Sequence, residues 1–174
     1  MKSFMNKKTL IIGEVNTGKS AHLCKLIEEF IRAGENDLTV IDMAPEKVKG
    51  IGGKLNIEGH ESIRYFTAPI MAPRLTGKTP QEVQALAEEN ARVIDEIFII
   101  YLKKPSEILF INDVSIYLQA GDLEKLQTYI SSTPTVIMNG YFGSTLGGGT
   151  LGERERRNME ELRKRCDRVI KKTK

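Results

Sequence analysis

Thr9-Leu10-Ile11-Ile12-Gly13-Glu14-Val15-Asn16-Thr17-Gly18-Lys19-Ser20 passes from an apolar strand into a glycine-bounded loop, and an amphipathic helix follows. Leu23, Leu26, Ile27, Phe30 and Ile31 sit at i, i+3, i+4, i+7 and i+8, and Gly34 stands where a helix can close on a left-handed residue. The loop reads G-x-x-x-x-G-K-S, the Walker A or P-loop pattern, and its flanks supply the physical context. Backbone N–H groups of such a loop curl around phosphate, and the helix N-terminus adds partial positive charge. The chain is therefore expected to bind a nucleoside triphosphate, ATP or GTP, through Gly13, Glu14, Val15, Asn16, Thr17, Gly18, Lys19, Ser20 and Ala21. Lys19 is expected to reach the β- and γ-phosphates, and the Ser20 hydroxyl to take one position on Mg²⁺. Gly13 serves the tight turn out of the strand in this reading, and Gly18 the close approach of backbone to phosphate.

Further short apolar runs alternate with helical patterns: Leu38 to Ile41, Ile63 to Phe66, Ile108 to Ile111, Thr135 to Met138 and Arg168 to Ile170. Strands alternating with helices predict an α/β fold, a three-layer α/β/α sandwich around a mainly parallel sheet, in one nucleotide-binding domain over residues 1–174. Thr79, Pro80 and Glu82 form a capping box for a long helix with Val83, Leu86, Ala87, Val93, Ile94, Ile97, Ile100 and Tyr101 as its buried stripe, ending before Pro105. A shorter helix from about Asp122 to Ile130 packs through Leu123, Leu126 and Ile130. Thr150 with Glu153 reads as a second capping box, opening a mostly solvated helix whose apolar positions are Leu151, Met159 and Leu162. Three connections are too long for turns, Met43 to Glu61, Ala68 to Lys78 and Gly140 to Gly149. All leave from carboxyl ends of strands, where parallel sheets place their ligand crevice, so they are expected to wall and cover the site.

A net charge of +3 beside 28% charged residues supplies no general field toward nucleic acid or membrane, so nucleic acid is not indicated. Cys24 and Cys166 lie far apart without a C-x-x-C or a His pair, which argues against zinc or a redox dithiol and for buried thiols in a reducing compartment. The stretch before the first strand has lysines but no apolar signal core, and no run approaches the ~20 apolar residues of a membrane helix. A cytoplasmic protein is expected.

Ile108-Leu109-Phe110-Ile111-Asn112-Asp113 resembles a Walker B strand with a neutral amide where the metal-holding Asp normally stands. Two assignments stay open. Asp113 serves Mg²⁺ with a one-residue shift, or it takes the catalytic carboxylate position while Ser20 and phosphate hold the metal beside Asn112. Asn139 ends the next strand and is a candidate catalytic sensor; Asp42 ends the second and is either a crevice residue or a turn residue. Arg74, Lys78, Arg154, Arg156 and Arg157 are candidates to neutralise phosphate, whereas His22 and His60 have no partner in sequence that makes them a base or ligand.

The order of P-loop strand, helix, polar-tipped Walker B strand, short helix and polar-tipped strand resembles the RecA-like branch of P-loop NTPases. That likeness implies that the Asn139 strand lies between the P-loop strand and the Asn112 strand. Within the branch, Leu118-Gln119-Ala120-Gly121-Asp122-Leu123, Val136-Ile137-Met138-Asn139-Gly140 and Cys166-Asp167-Arg168-Val169-Ile170 are similar to segments of the P-loop corrinoid adenosyltransferases. This chain departs from them in its ordinary Walker A spacing and in Asn112-Asp113, where that family carries an acidic pair. Type II thymidine kinases share the layout, but their paired zinc cysteines are missing here. The leading expectation is a Mg²⁺-dependent hydrolase or phosphoryl-transfer enzyme acting through Lys19, Asp113 and Asn139. A nucleotide switch with little turnover, and ATP-dependent group transfer to a second substrate the sequence does not name, are the alternatives.

Lys19, read as exposed in the empty loop, can be removed without loss of the fold. Lys19→Ala is expected to weaken triphosphate binding far more than monophosphate binding, since the lysine serves the β- and γ-phosphates. Titration of a fluorescent ATP analogue checks this, and equal affinity of variant and parent would refute the assignment.

Overall fold

Successive side chains of a strand face opposite sides of the sheet, and in this chain both sides are apolar. Leu10 and Ile12 belong to one buried cluster with Leu109, Ile111, Val136 and Met138, while Ile11 belongs to the other with Val40, Phe110 and Ile137. Helices must therefore cover both faces. The computed structural model describes residues 2–57, 61 and 63–173, so the loop position of His60 lies outside the described residues.

The elements run β1 (Lys8–Gly13), α1 (Lys19–Arg32), β2 (Leu38–Asp42), β3 (Arg64–Thr67), α2 (Pro73–Thr76), α3 (Pro80–Tyr101), β4 (Ile108–Asn112), α4 (Val114–Leu118), α5 (Leu123–Ser131), β5 (Thr135–Tyr141), α6 (Gly149–Lys164) and β6 (Arg168–Lys172). The sheet order is β3-β2-β4-β5-β1-β6, and every pairing is parallel. The result is the expected three-layer α/β/α sandwich, with β5 between β1 and β4. On one face Leu23, Leu26, Ile27 and Phe30 of α1 pack with Phe4 and Ile57. Residues of α3, α4, α5 and α6 cover the other.

Local chemistry sets most helix ends. Gly34, at φ +85, lets its N–H reach the Ile31 carbonyl while Glu35 reaches Phe30, closing α1. The Thr79 hydroxyl accepts from the Glu82 N–H at 3.1 Å, and Glu82 returns its carboxylate to the Lys78 N–H at 2.8 Å, one residue earlier than a standard box. Asp122 accepts from the N–H groups of Glu124 and Lys125 at the start of α5.

Two expectations are corrected. Thr150 does not cap α6: the helix begins at Gly149 with Gly148 at the cap and no side-chain cap bond. The loop folds back on the first turn, where a Cβ on Gly152 would stand 3.0 Å from the Gly147 carbonyl oxygen. As expected, most of α6 faces solvent and Leu151, Met159 and Leu162 are buried, joined by Gly152 and Glu155. In α3 the stripe runs through Ile94, Ile97, Phe98 and Tyr101 at i, i+3, i+4 and i+7, which leaves Ile100 at the surface, 52% exposed. The short helices α2 and α4 carry no periodicity long enough to read. No helix among the described residues is long and apolar enough to cross a membrane.

Phe30 is fully buried and meets the Phe110 ring edge-on at 5.5 Å between centroids, joining α1 to the middle of the sheet. Phe30→Ala is expected to cost about 3–5 kcal/mol by emptying that volume, read as a lower midpoint in urea unfolding.

Candidate functional site

The loop after β1 is shaped by two different glycine requirements. A Cβ on Gly13 would collide with the Lys172 carbonyl at the end of β6 and stand 2.9 Å from Thr17 Oγ1. Gly18, the cap residue of α1, has open space around it but lies at φ +77, where side chains with a Cβ are strained. So close packing demands Gly13, and backbone conformation demands Gly18. The Thr17 hydroxyl donates to the Glu14 carbonyl at 2.8 Å, and Lys19 Nζ donates to the same oxygen. Lys19 is thus folded back on its own loop and half-buried rather than exposed, and burial lowers its pKa.

Glu14 turns its carboxylate away from the loop centre. It accepts from the Ser144 N–H at 2.5 Å, the Ser144 hydroxyl at 3.2 Å and the Thr145 N–H at 3.3 Å. The Ser144 N–H above all holds its pKa down at about 2. The side chain fastens the glycine-rich 140–149 connection to the loop.

Polar tips meet at the carboxyl edge. Ser20 donates to Asn112 Oδ1 at 3.2 Å, and Asn139 Nδ2 reaches the same oxygen at 3.0 Å and Ser20 Oγ at 3.4 Å. Asn139 Oδ1 accepts from the Asp113 backbone N–H at 2.6 Å. Asp113, at φ +59, starts α4, and its carboxylate accepts from the Ser115 hydroxyl at 2.6 Å. Burial raises the Asp113 pKa, while the Ser115 hydrogen bond and the positive charges of Lys19 and Arg74 oppose the rise. Asp42 is wholly buried; Ala44 N–H bonds its Oδ1 at 3.0 Å, so the turn reading holds and the crevice reading does not.

Beyond the tips lies a cavity of about 410 Å³. All three long connections line it, with Pro45 and Ile51 from the first, Leu75 from the second and Leu146 from the third. Lys19, Ser20, Asp113 and Asn139 share its wall with Arg74, Gln119 and Glu155. Arg74 Nη2 donates to Glu155 Oε1 at 2.6 Å, and the guanidinium carbon lies 5.5 Å from the centre of the Tyr141 ring; Gln119 Nε2 donates to Glu155 Oε2 at 2.7 Å. Burial raises the Glu155 pKa, and Arg74 opposes that most strongly.

Of the five basic candidates only Arg74 lines this cavity. Arg154 instead bonds the Ala120 and Gly121 carbonyls, Arg156 lies over the Phe142 ring, and Lys78 and Arg157 are exposed. His22 Nδ1 is buried without a hydrogen-bond partner among the described residues, and it does not line the cavity. Both thiols are free, and burial pushes Cys166 up to about 12.

Ser115, Gln119, Tyr141 and Glu155 were missed in the sequence. Glu155 had a readable signal: it falls on the apolar stripe Leu151, Met159, Leu162, four residues from each of the first two, where an exposed charge does not belong. Among the described residues no three His, Cys, Asp or Glu side chains converge to hold a metal. Oxygens of Ser20, Asn112 and Asp113 do suit a hard cation that draws its remaining ligands from phosphate and water.

No family model matches this chain, and no curated protein matches its sequence. Among solved structures the chain is similar to the flagellar accessory protein FlaH from Methanocaldococcus jannaschii, with a TM-score of 0.57 at 11% identity over 96% of this chain and 71% of FlaH. That likeness concerns the fold, and with the parallel sheet it fits a RecA-like arrangement.

The Arg74 and Glu155 side chains are only 13% and 3% exposed, so neither charge can fall back on water. Arg74→Ala is expected to destabilise the protein by about 3–5 kcal/mol by stranding Glu155, and urea unfolding measures it. Arg74→Met with Glu155→Met should cost clearly less, since no charge is stranded.

Proposed function

We propose that this chain binds a nucleoside triphosphate with Mg²⁺ and uses it for hydrolysis or phosphoryl transfer. The observation that carries the reading is the convergence of Lys19, Ser20, Asn112, Asp113 and Asn139 at adjoining strand ends, around a loop whose glycines suit backbone contact with phosphate. Lys19 leaves the Glu14 carbonyl for the β- and γ-phosphates. Ser20, with Asn112 and Asp113 beside it, would hold Mg²⁺, which neutralises charge between those phosphates. Asp113 supplies the negative charge at that tip, and Arg74 supplies positive charge on the far side of the cavity.

A second reading, group transfer to another substrate as in the corrinoid adenosyltransferases that the sequence resembles, draws on the cavity itself. It extends past the phosphate loop to apolar walls at Leu75, Ile116 and Leu146. Gln119 lines it and is 2% exposed; its amide N–H is committed to Glu155, and its Oε1 has no partner among the described residues. An acceptor bearing a hydroxyl or amine suits that wall. The nucleotide-switch alternative draws on Asn112, a neutral amide at the strand tip where the metal-holding carboxylate normally stands.

Phosphate release with and without Mg²⁺ tests the main reading. Asp113→Asn is expected to lower turnover by about 10² to 10³ while leaving affinity for a fluorescent ATP analogue nearly unchanged. A parent without Mg²⁺-dependent turnover, or a variant as fast as the parent, overturns it.

A further inference from the structure

An amide group can turn either end toward a neighbour, and what fixes its sense is a partner that only donates or only accepts. Three polar strand ends lie in a row here. The parallel register sets Asp42 of β2 opposite Asn112 of β4, and β5 brings Asn139 to the other side of Asn112. Asp42 is wholly buried and receives four hydrogen bonds. Its Oδ1 accepts from the Ala44 N–H at 3.0 Å and Asn112 Nδ2 at 2.8 Å. Its Oδ2 accepts from the Leu55 N–H at 2.7 Å and the Tyr65 hydroxyl.

That set fills the acceptor capacity of a carboxylate, so Asp42 has nothing left for a cation or a reacting proton. It also dictates the sense of everything downstream. Asn112 must present N–H₂ to Asp42, so its Oδ1 faces Ser20 and Asn139. Asn139 must then present its own N–H₂ to that oxygen, so its Oδ1 takes the Asp113 backbone N–H at 2.6 Å. Reversing either amide would put donor against donor.

We infer that Asp42 is a positioning residue, the displaced counterpart of a strand-end carboxylate at position 112: it stands one strand away and acts through Asn112 and Asn139. The site edge beside Ser20 is left with a neutral, correctly aimed oxygen, and the charge that faces a cation comes from Asp113. An ionised aspartate at position 112 conflicts with Asp42, because two carboxylates would meet where an N–H···O bond of 2.8 Å now stands, and relief would take a proton. The cation-facing half of this inference rests on the function proposed above; the pairing half does not.

The test is a cycle of Asn112→Asp, Asp42→Asn and the double variant, each read first by thermal unfolding without ligand. Asp42→Asn should lower the midpoint in the parent background, since one of the Ala44 and Leu55 N–H groups loses its acceptor. In the Asn112→Asp background the same change should raise it, because an amide again meets a single carboxylate. Should Asn112→Asp fail to fold, recovery of folded protein in the double variant is the same result. An effect of one sign in both backgrounds, or no rescue, overturns the positioning role, which a generic contribution to packing would also produce.

The second readout is the Mg²⁺ dependence of binding of a fluorescent ATP analogue. The double variant moves the carboxylate to the Ser20 side and should tighten Mg²⁺ by about tenfold or more over the parent. A parent that binds the analogue with an unimproved double variant overturns the assignment of the Asn112 oxygen to the cation side. A parent that binds no analogue overturns the nucleotide reading instead, while the sign of the unfolding shift still decides the pairing.

Discussion

In a parallel sheet every strand delivers its carboxyl end to the same edge, and that constraint organises this molecule. Pairing of β2 with β4, β4 with β5 and β5 with β1 places Asp42, Asn112, Asn139 and the entrance of the 13–20 loop side by side. Their side chains have partners only because the strands are in register. A slip by one residue would exchange the residues of the two clusters between the faces, so the helices fitted to one set would meet the other. The two-sided core is therefore what holds the polar row in place, and a hydrogen-bonded strand edge is the consequence.

Charge inside the site is handled by pairing each group before any ligand arrives. Lys19 is bonded to a carbonyl of its own loop, Arg74 to Glu155, and Asp113 to the Ser115 hydroxyl. Burial opposes the charged forms of Lys19, Asp113 and Glu155, so each is more sensitive to a new neighbour than an exposed group would be. Glu14 behaves differently. With backbone N–H groups of Ser144 and Thr145 on its carboxylate, it remains charged far into acid and ties the glycine-rich 140–149 connection to the loop after β1. The closing segment and the loop it covers are thus one hydrogen-bonded unit.

The cavity unites two chemistries. Its loop side offers backbone and short polar side chains, while the wall from α2, α4 and the 140–149 connection is apolar around the buried Arg74, Glu155 and Gln119 group. Apolar surroundings make each of those polar contacts stronger and make an unmatched one costlier. Within that group Gln119 Oε1 is left without a hydrogen-bond partner among the described residues.

Periodicity and capping made the sheet, the layers and most helices legible. Thr9 to Ile12 before the glycine-bounded loop, with the 3.6-residue stripe of Leu23 to Phe30 after it, already demanded a strand, a loop and a helix packed on the strand. The polar ends at Asn112, Asp113 and Asn139 were visible because they interrupt apolar runs. Ile100 and Thr150 were misread for a local reason: a helix stripe drifts along its length, and a capping pattern cannot register a loop that folds back on the helix. What one dimension could not supply is the pairing between distant residues. Asp42 and Asn112 are 70 positions apart, and Arg74 and Glu155 are 81 apart. By itself the sequence determined the alternation of strand and helix and the glycine-bounded loop between the first pair, since both depend on near neighbours. Only the tertiary structure decided which strand ends touch, which way each amide points and which charges are sheltered together, because those follow from strand order and burial.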